Sequence, residues 1–265
     1  MNLILSVILL HLQNNMKQKQ VLLEGKILTY YENLLWQKEW VLVFLHGWMQ
    51  DGKSFSDICK ILEEKNIAYV SIDFPWFWGS QLRHDDMTIE EYGKVVIDFL
   101  EKLQLKNAIL IGHSFGGRVS IYLASFYTNI ESIILICAAW IAKKISIPKY
   151  FVVKTWKIIL SFPWLRSIGK KVRKWFSSPD LINAGKMEKI FRNTIALDLQ
   201  DTMKSITLPS LMIWWKDDNQ TPLHEWNIMH KLIRGSILQV LEWTHFIHQE
   251  KPETLAEMIL NFTKK

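Results

Sequence analysis

An α/β architecture with a mainly parallel sheet is the fold class this chain predicts, and three observations predict it. Apolar runs of strand length (Trp40–Leu45, Ile67–Ile72, Ala108–Ile111, Ile133–Cys137, Leu211–Trp214) show no polar alternation, the mark of strands buried on both faces. Stretches of helical periodicity separate them. The connections are short, so strands and helices alternate around one sheet.

The elements follow in order. Val21–Glu32 reads as two short strands around the turn Glu24-Gly25-Lys26. Trp40–Leu45 stops at the loop His46-Gly47-Trp48. Ser54–Lys65 places Phe55, Ile58, Cys59 and Leu62 on one helical stripe, and Ile67–Ile72 closes at Asp73-Phe74-Pro75. Thr88 and Glu91 form a capping box that opens a helix running to Leu103. Ala108–Ile111 then runs straight into Gly112-His113-Ser114-Phe115-Gly116-Gly117, with a helix to Tyr127. After strand Leu211–Trp214 come helix Glu225–Ile233, strand Ile237–Leu241 and a closing helix Pro252–Phe262. The stretch 141–206 has no strand pattern and reads as several helices inserted between two strands. The expected organisation is an N-terminal extension (1–20), a core made of 21–140 and 207–265, and a helical insertion (141–206).

Composition narrows the class. With 265 residues, 49% hydrophobic and 22% charged, the chain is an ordinary globular protein, not a disordered or collagen-like one. Two cysteines, Cys59 and Cys137, are too few for a disulfide framework and fit burial in a reducing, cytoplasmic compartment. The apolar run Leu3–Leu10 lacks a basic n-region and a small-residue cleavage site, and is too short to span a bilayer. We expect it to be an over-extended gene start. The net charge of +6 is uneven: residues 141–206 carry 14 Lys and Arg against 4 Asp and Glu.

Gly112-x-Ser114-x-Gly116, placed after a strand and before a helix, is the nucleophile-elbow arrangement. A serine on so sharp a turn stands clear of the sheet edge, and the following helix offers N–H groups to a developing oxyanion. From Val21 onward the sequence resembles the α/β-hydrolase superfamily. The resemblance rests on His46-Gly47-Trp48, Asp73-x-Pro75, the Gly112–Gly117 elbow, Asp218 with Pro222, and Thr244-His245-Phe246. It is closest to the branch with a helical cap: carboxylesterases, C–C bond hydrolases and cofactor-free haloperoxidases.

The resemblance implies an α/β-hydrolase fold with a catalytic triad in the order Ser114, Asp218, His245. Asp217 is the neighbour that competes with Asp218, and His248 the neighbour that competes with His245. In related sequences the acid lies three residues past the strand end and a Pro four residues further, and counting from Trp215 this pattern implies Asp218 and Pro222. Main-chain N–H groups of Trp48 and Phe115 would form the oxyanion hole. No metal and no organic cofactor is implied. Asp73 reads as a turn-capping carboxylate, His113 as packing at the elbow and His46 as ordering its loop.

The family places its cap where 141–206 falls. There Tyr150, Phe151, Trp156, Phe162, Trp164, Phe176 and Phe191 are candidates to line an apolar chamber or to pack cap helices. The expected activity is a carboxylesterase acting on small apolar esters, with a C–C hydrolase or haloperoxidase-like enzyme as the alternative. A non-catalytic binding protein is disfavoured because all three triad residues are present. The basic cap could make a weak contact with an anionic membrane surface, and no nucleic-acid platform is visible. The sequence leaves the oligomeric state open.

Trp (13) outnumbers Gly (11), where roughly 18 Gly would be usual for this length. Where relatives carry Gly, this chain reads Trp76, Trp78, Trp215 and Trp243, with Trp140 similarly placed. Such turns call for positive φ or close backbone approach. We expect several of these codons to be UGA, read as Gly in the source organism. Trp48 is set apart, since Trp often follows His-Gly in this family.

Overall fold

The computed structural model describes residues 16–34, 39–77, 79–81, 83–138, 184–216, 223–242 and 247–264. Eight strands form one sheet: β1 (Gln18–Leu23), β2 (Lys26–Asn33), β3 (Val41–Leu45), β4 (Tyr69–Ile72), β5 (Ala108–His113), β6 (Ile130–Ile136), β7 (Ser210–Trp215) and β8 (Ile237–Leu241). Their spatial order is β1-β2-β4-β3-β5-β6-β7-β8. The first two pairings, β1–β2 and β2–β4, are antiparallel and all others parallel. The α/β expectation is met, with one adjustment. Residues 18–20, assigned to the N-terminal extension, pair with Thr29–Tyr31 inside the sheet.

Local chemistry explains the boundaries. Glu24 and Gly25 both take positive φ (48° and 77°), which the tight β1–β2 hairpin requires. Helix α1 (Ser56–Glu64) and helix α2 (Ile89–Lys102) end alike, each with a positive-φ residue, Asn66 and Gln104, just beyond. At both ends the next N–H reaches back five residues: Ile67 to Leu62 O and Leu105 to Leu100 O, both at 2.9 Å. These Schellman-type closures satisfy carbonyls that the helix leaves unpaired. Thr88 and Glu91 make the expected capping box on α2.

Period-two alternation then sorts the strand residues onto two cores. Val43, Leu45, Leu110, Ile133, Met212 and Trp214 face the side covered by α2 and α3 (Phe115–Ala124). Leu42, Phe44, Ile111, Ile134 and Ile213 face the side covered by α1 and the C-terminal helix Pro252–Thr263. Each such side chain, fully buried, contributes about 1.5–3 kcal/mol. Cys59 and Cys137 are both buried within this second core. Within the insertion, the described residues form α4 (Glu188–Ala196) and α5 (Gln200–Lys204), without a strand among them.

The Trp-for-Gly expectation divides. Trp76 has φ 77°, a left-handed conformation in which a bulky side chain is strained. Trp215 does not occupy such a turn: it ends β7 in the extended strand, buried on the second core. For Trp215 the conformational reason is therefore withdrawn, because the strand continues one residue further than the turn reading assumed. Trp78, Trp140 and Trp243 lie outside the described residues. Trp76→Gly is expected to raise the urea midpoint by about 1 kcal/mol of stability. Relief of the left-handed strain exceeds the chain entropy that glycine adds to the unfolded state. A lower midpoint would show that packing of the half-buried indole outweighs the strain.

Candidate active site

The site forms at the carboxyl edge of the parallel strands. β5 ends at His113, and Ser114 takes φ 47°, ψ −105°, outside every region ordinary for a side-chain-bearing residue. The glycines around it explain how the chain tolerates this. A Cβ on Gly112 would lie 2.5 Å from Ser120 Oγ and 2.6 Å from Gly116 O. On Gly116 it would lie 2.0 Å from Leu45 O, and on Gly117 2.4 Å from the Ala138 Cβ. The elbow is therefore pressed against the ends of β3 and β6, and Gly116 N–H donates to His46 O at 3.0 Å. Ser114 itself remains half-buried at the mouth of this packing.

Beside the elbow runs the loop that follows β3. His46 is fully buried; its Nδ1 pairs with Gly47 O at 2.8 Å and its Nε2 accepts the Phe74 N–H at 3.0 Å. Burial pulls its pKa down to about 4, so the ring is neutral at pH 7. Asp73, also fully buried, accepts the Gly52 N–H at 2.7 Å and faces the Tyr31 hydroxyl at 3.4 Å. Burial is the largest influence on it and lifts its pKa to about 6. Both residues hold loops, the role read from the sequence. Among the described residues, the N–H groups of Trp48 and Phe115 have no backbone acceptor.

An aromatic wall surrounds this point. Trp48 meets Phe77, Phe115 and Phe191 with ring centroids 5.4, 5.7 and 4.9 Å apart. Phe115 also packs edge-on to Phe74 and Tyr92. Phe191 belongs to α4, so the insertion reaches the site; the other six aromatics named above lie outside the described residues. Helix α4 is pinned by Lys189 to Asp86 (2.8 Å) and by Asn193 Nδ2 to Asp86 O (2.6 Å). Arg118, buried in the first turn of α3, donates to Leu197 O just past α4. Burial lowers its pKa to about 10.

Asp217, Asp218 and His245 lie outside the described residues. Their segments follow directly from the ends of β7 at Trp215 and β8 at Leu241, two parallel strands that end at the same edge as β5. His248, the alternative to His245, is fully buried in a short helix, α7 (Ile247–Glu250), after α6 (Leu223–Leu232). Its ring packs on Phe55 and on His113, at 5.2 and 4.3 Å. Sequence reasoning missed its polar neighbour Gln50, whose Nε2 stands 3.3 Å from His248 Nε2. No local pattern could have signalled a contact across 198 residues.

Elsewhere, a cleft of about 290 Å³ is lined by Glu24, Lys26, Arg83, His84, Glu91 and Lys94. Its charges are largely matched: Glu24 pairs with Arg83 and Lys94, and His84 with Glu91. Among the described residues no cluster of three or more His, Cys, Asp or Glu could hold a metal ion, and no helix is long and apolar enough to cross a membrane.

The family model described as the alpha/beta hydrolase family matches residues 42–258. This chain belongs to that family. Among curated relatives, an uncharacterized hydrolase of Bacillus subtilis, YugF, is 26% identical over 265 residues, covering 89% of this chain and 94% of its own. Mouse monoacylglycerol lipase ABHD6 is 26% identical over 253 residues, covering 83% of this chain and 74% of its own. Among solved structures, an esterase of Exiguobacterium antarcticum superposes with a TM-score of 0.70 at 22% identity, covering 95% of this chain and all of that one. The family's fold accounts for the sheet order, and for an elbow after β5 at the edge where the β7 and β8 loops begin.

Proposed function

We propose that this alpha/beta hydrolase is a serine carboxylesterase acting on small apolar esters, with Ser114, His245 and Asp218 as its triad. The observation that carries the reading is the strained Ser114 backbone, φ 47° and ψ −105°, held in the tightly packed Gly112–Gly117 elbow. Strain of this kind persists where the surrounding structure over-determines it, and it clusters at functional sites. In the reaction, His245 takes the Ser114 Oγ proton as the oxygen attacks the ester carbonyl. The oxyanion accepts the Trp48 and Phe115 N–H groups. Collapse expels the alcohol, which leaves with the proton from His245, and an acyl-Ser114 remains. Water, deprotonated by His245, attacks the acyl carbon; the acid departs and Ser114 regains its proton. Asp218 orients His245 through the Nδ1 proton and stabilises the imidazolium.

The aromatic wall of Trp48, Phe77, Phe115 and Phe191 supports an apolar acyl group, and the likeness to a monoacylglycerol lipase and an esterase points to ester substrates. The basic excess of the insertion falls almost wholly in residues 141–183, so the described part of the cap adds nothing for a membrane contact. The test is a panel of p-nitrophenyl esters of increasing acyl length, together with a fluorophosphonate probe. The expected outcome is ester turnover that improves with acyl length until the wall is filled, and one label per chain, mapped by mass spectrometry to Ser114. Labelling at another residue, or none in folded protein, overturns the reading.

A further inference from the structure

Three loops of the site meet on one side chain. Gln50 Oε1 accepts the Gly47 N–H at 3.0 Å and stands 2.9 Å from His113 Nδ1, while its Nε2 stands 3.3 Å from His248 Nε2. Gly47 immediately precedes Trp48, His113 immediately precedes Ser114, and His248 lies three residues beyond His245. Both histidines are buried, with ring centroids 4.3 Å apart. The backbone donor at Gly47 fixes which end of the amide is oxygen. With the oxygen there, His113 must carry its proton on Nδ1, and the amide N–H must donate to an unprotonated His248 Nε2. One amide orientation thus selects the tautomers of two histidines on separate loops. The fit is close: a Cβ on Gly47 would lie 2.6 Å from Gln50 Oε1 and 2.7 Å from His113 Nδ1.

We propose that Gln50 is a positioning residue that keeps the Trp48 N–H in register with Ser114 and with helix α7, which bears His248. The inference rests on the serine-hydrolase reading. Gln50 acts through Gly47, His113 and His248, so its influence falls on the geometry in which charge develops on the substrate oxygen, not on how substrate is held. A donor displaced by a fraction of an ångström loses most of its value to the transition state while ground-state binding persists.

The test compares wild type with Gln50→Met, a side chain of similar length without the amide. For a p-nitrophenyl ester, kcat per active site should fall by about 10- to 100-fold with KM within about twofold. Fluorophosphonate should still titrate one site per chain, at a rate lowered in proportion. The double variant Gln50→Met/His113→Phe should lose little beyond the single one, because the contacts act as a unit. If the Met variant does not fold, Gln50→Ser, which leaves room for water, serves the same comparison. A kcat per titrated site within twofold of wild type, or a loss carried by KM, overturns the inference. So does an activity loss matched by a loss of titratable sites, since that is unfolding alone. Failure of the wild-type enzyme to label at Ser114 instead overturns the parent reading.

Discussion

Ser114→Ala is expected to lower ester turnover by about four to six orders of magnitude while leaving a folded protein, because removing the nucleophile disables a triad that works as a unit. Asp218→Asn should cost about 10⁴-fold, since an amide cannot hold His245 in the needed tautomer, whereas Asp217→Asn should stay within about threefold. Ester kinetics with the purified variants measure all three. Equal losses at the two aspartates, or the larger loss at Asp217, would move the acid by one residue. A second readout separates chemistry from folding. Ser114 sits at φ 47°, ψ −105°, so Ser114→Gly should be as inactive as the alanine variant yet about 1 kcal/mol more stable than it. Glycine releases backbone strain of ~1–3 kcal/mol and loses part of that gain to a more flexible unfolded chain. A glycine variant no more stable than the alanine one would show that the elbow carries no strain to release.

The elbow was legible because its demands are local. Gly112, Gly116 and Gly117 stand where a Cβ would meet Gly116 O, Leu45 O or Ala138, and the strand before and helix after them are written in adjacent residues. The sheet was legible for a similar reason: unbroken apolar runs such as Val41–Leu45 have no alternative to burial on both faces. Trp215 was misread because the end of a strand depends on its neighbour; Lys216 N–H still donates to Leu241 O of β8, at 3.0 Å. The Gln50 contacts could not be read at all. Two of them join positions 63 and 198 residues apart, and a glutamine that reaches back three residues to Gly47 in a loop carries no periodicity that marks it. Arg118 is the same case, since its acceptor Leu197 O belongs to the insertion. Asp218 and His245 are proposed from motif order through the family resemblance, not from any local constraint, and so the aspartate comparison above is their proper test.

The second large effect concerns pH, and it is hidden in the wild-type protein. Asp73 and His46 are both fully buried, and His46 accepts the N–H of Phe74, the residue that follows Asp73. Burial acts on them in opposite directions. Asp73 rises from 3.8 to about 6, so between pH 4 and 6 the folded state holds a proton that the unfolded chain has lost, and stability falls as pH rises through that window. His46 falls from 6.5 to about 4, so between pH 4 and 6.5 the unfolded chain holds the extra proton, and stability rises with pH. Each shift corresponds to about 3 kcal/mol, and the windows overlap, so the two contributions largely cancel. Asp73→Asn should uncover the histidine: relative to wild type, the variant loses up to about 3 kcal/mol as pH drops from 6.5 to 4. His46→Gln should uncover the aspartate and gain, relative to wild type, over the same interval. Urea midpoints at pH 4, 5, 6 and 7 measure this, and exposed carboxylates shared by all three proteins drop out of the differences. Any loss of packing or hydrogen bonding in a variant offsets its curve without tilting it. Parallel curves for the three proteins would mean that neither group changes its proton occupancy on folding in this range. In that case burial would not be what holds His46 neutral, and the loop after β3 would owe its position to packing alone.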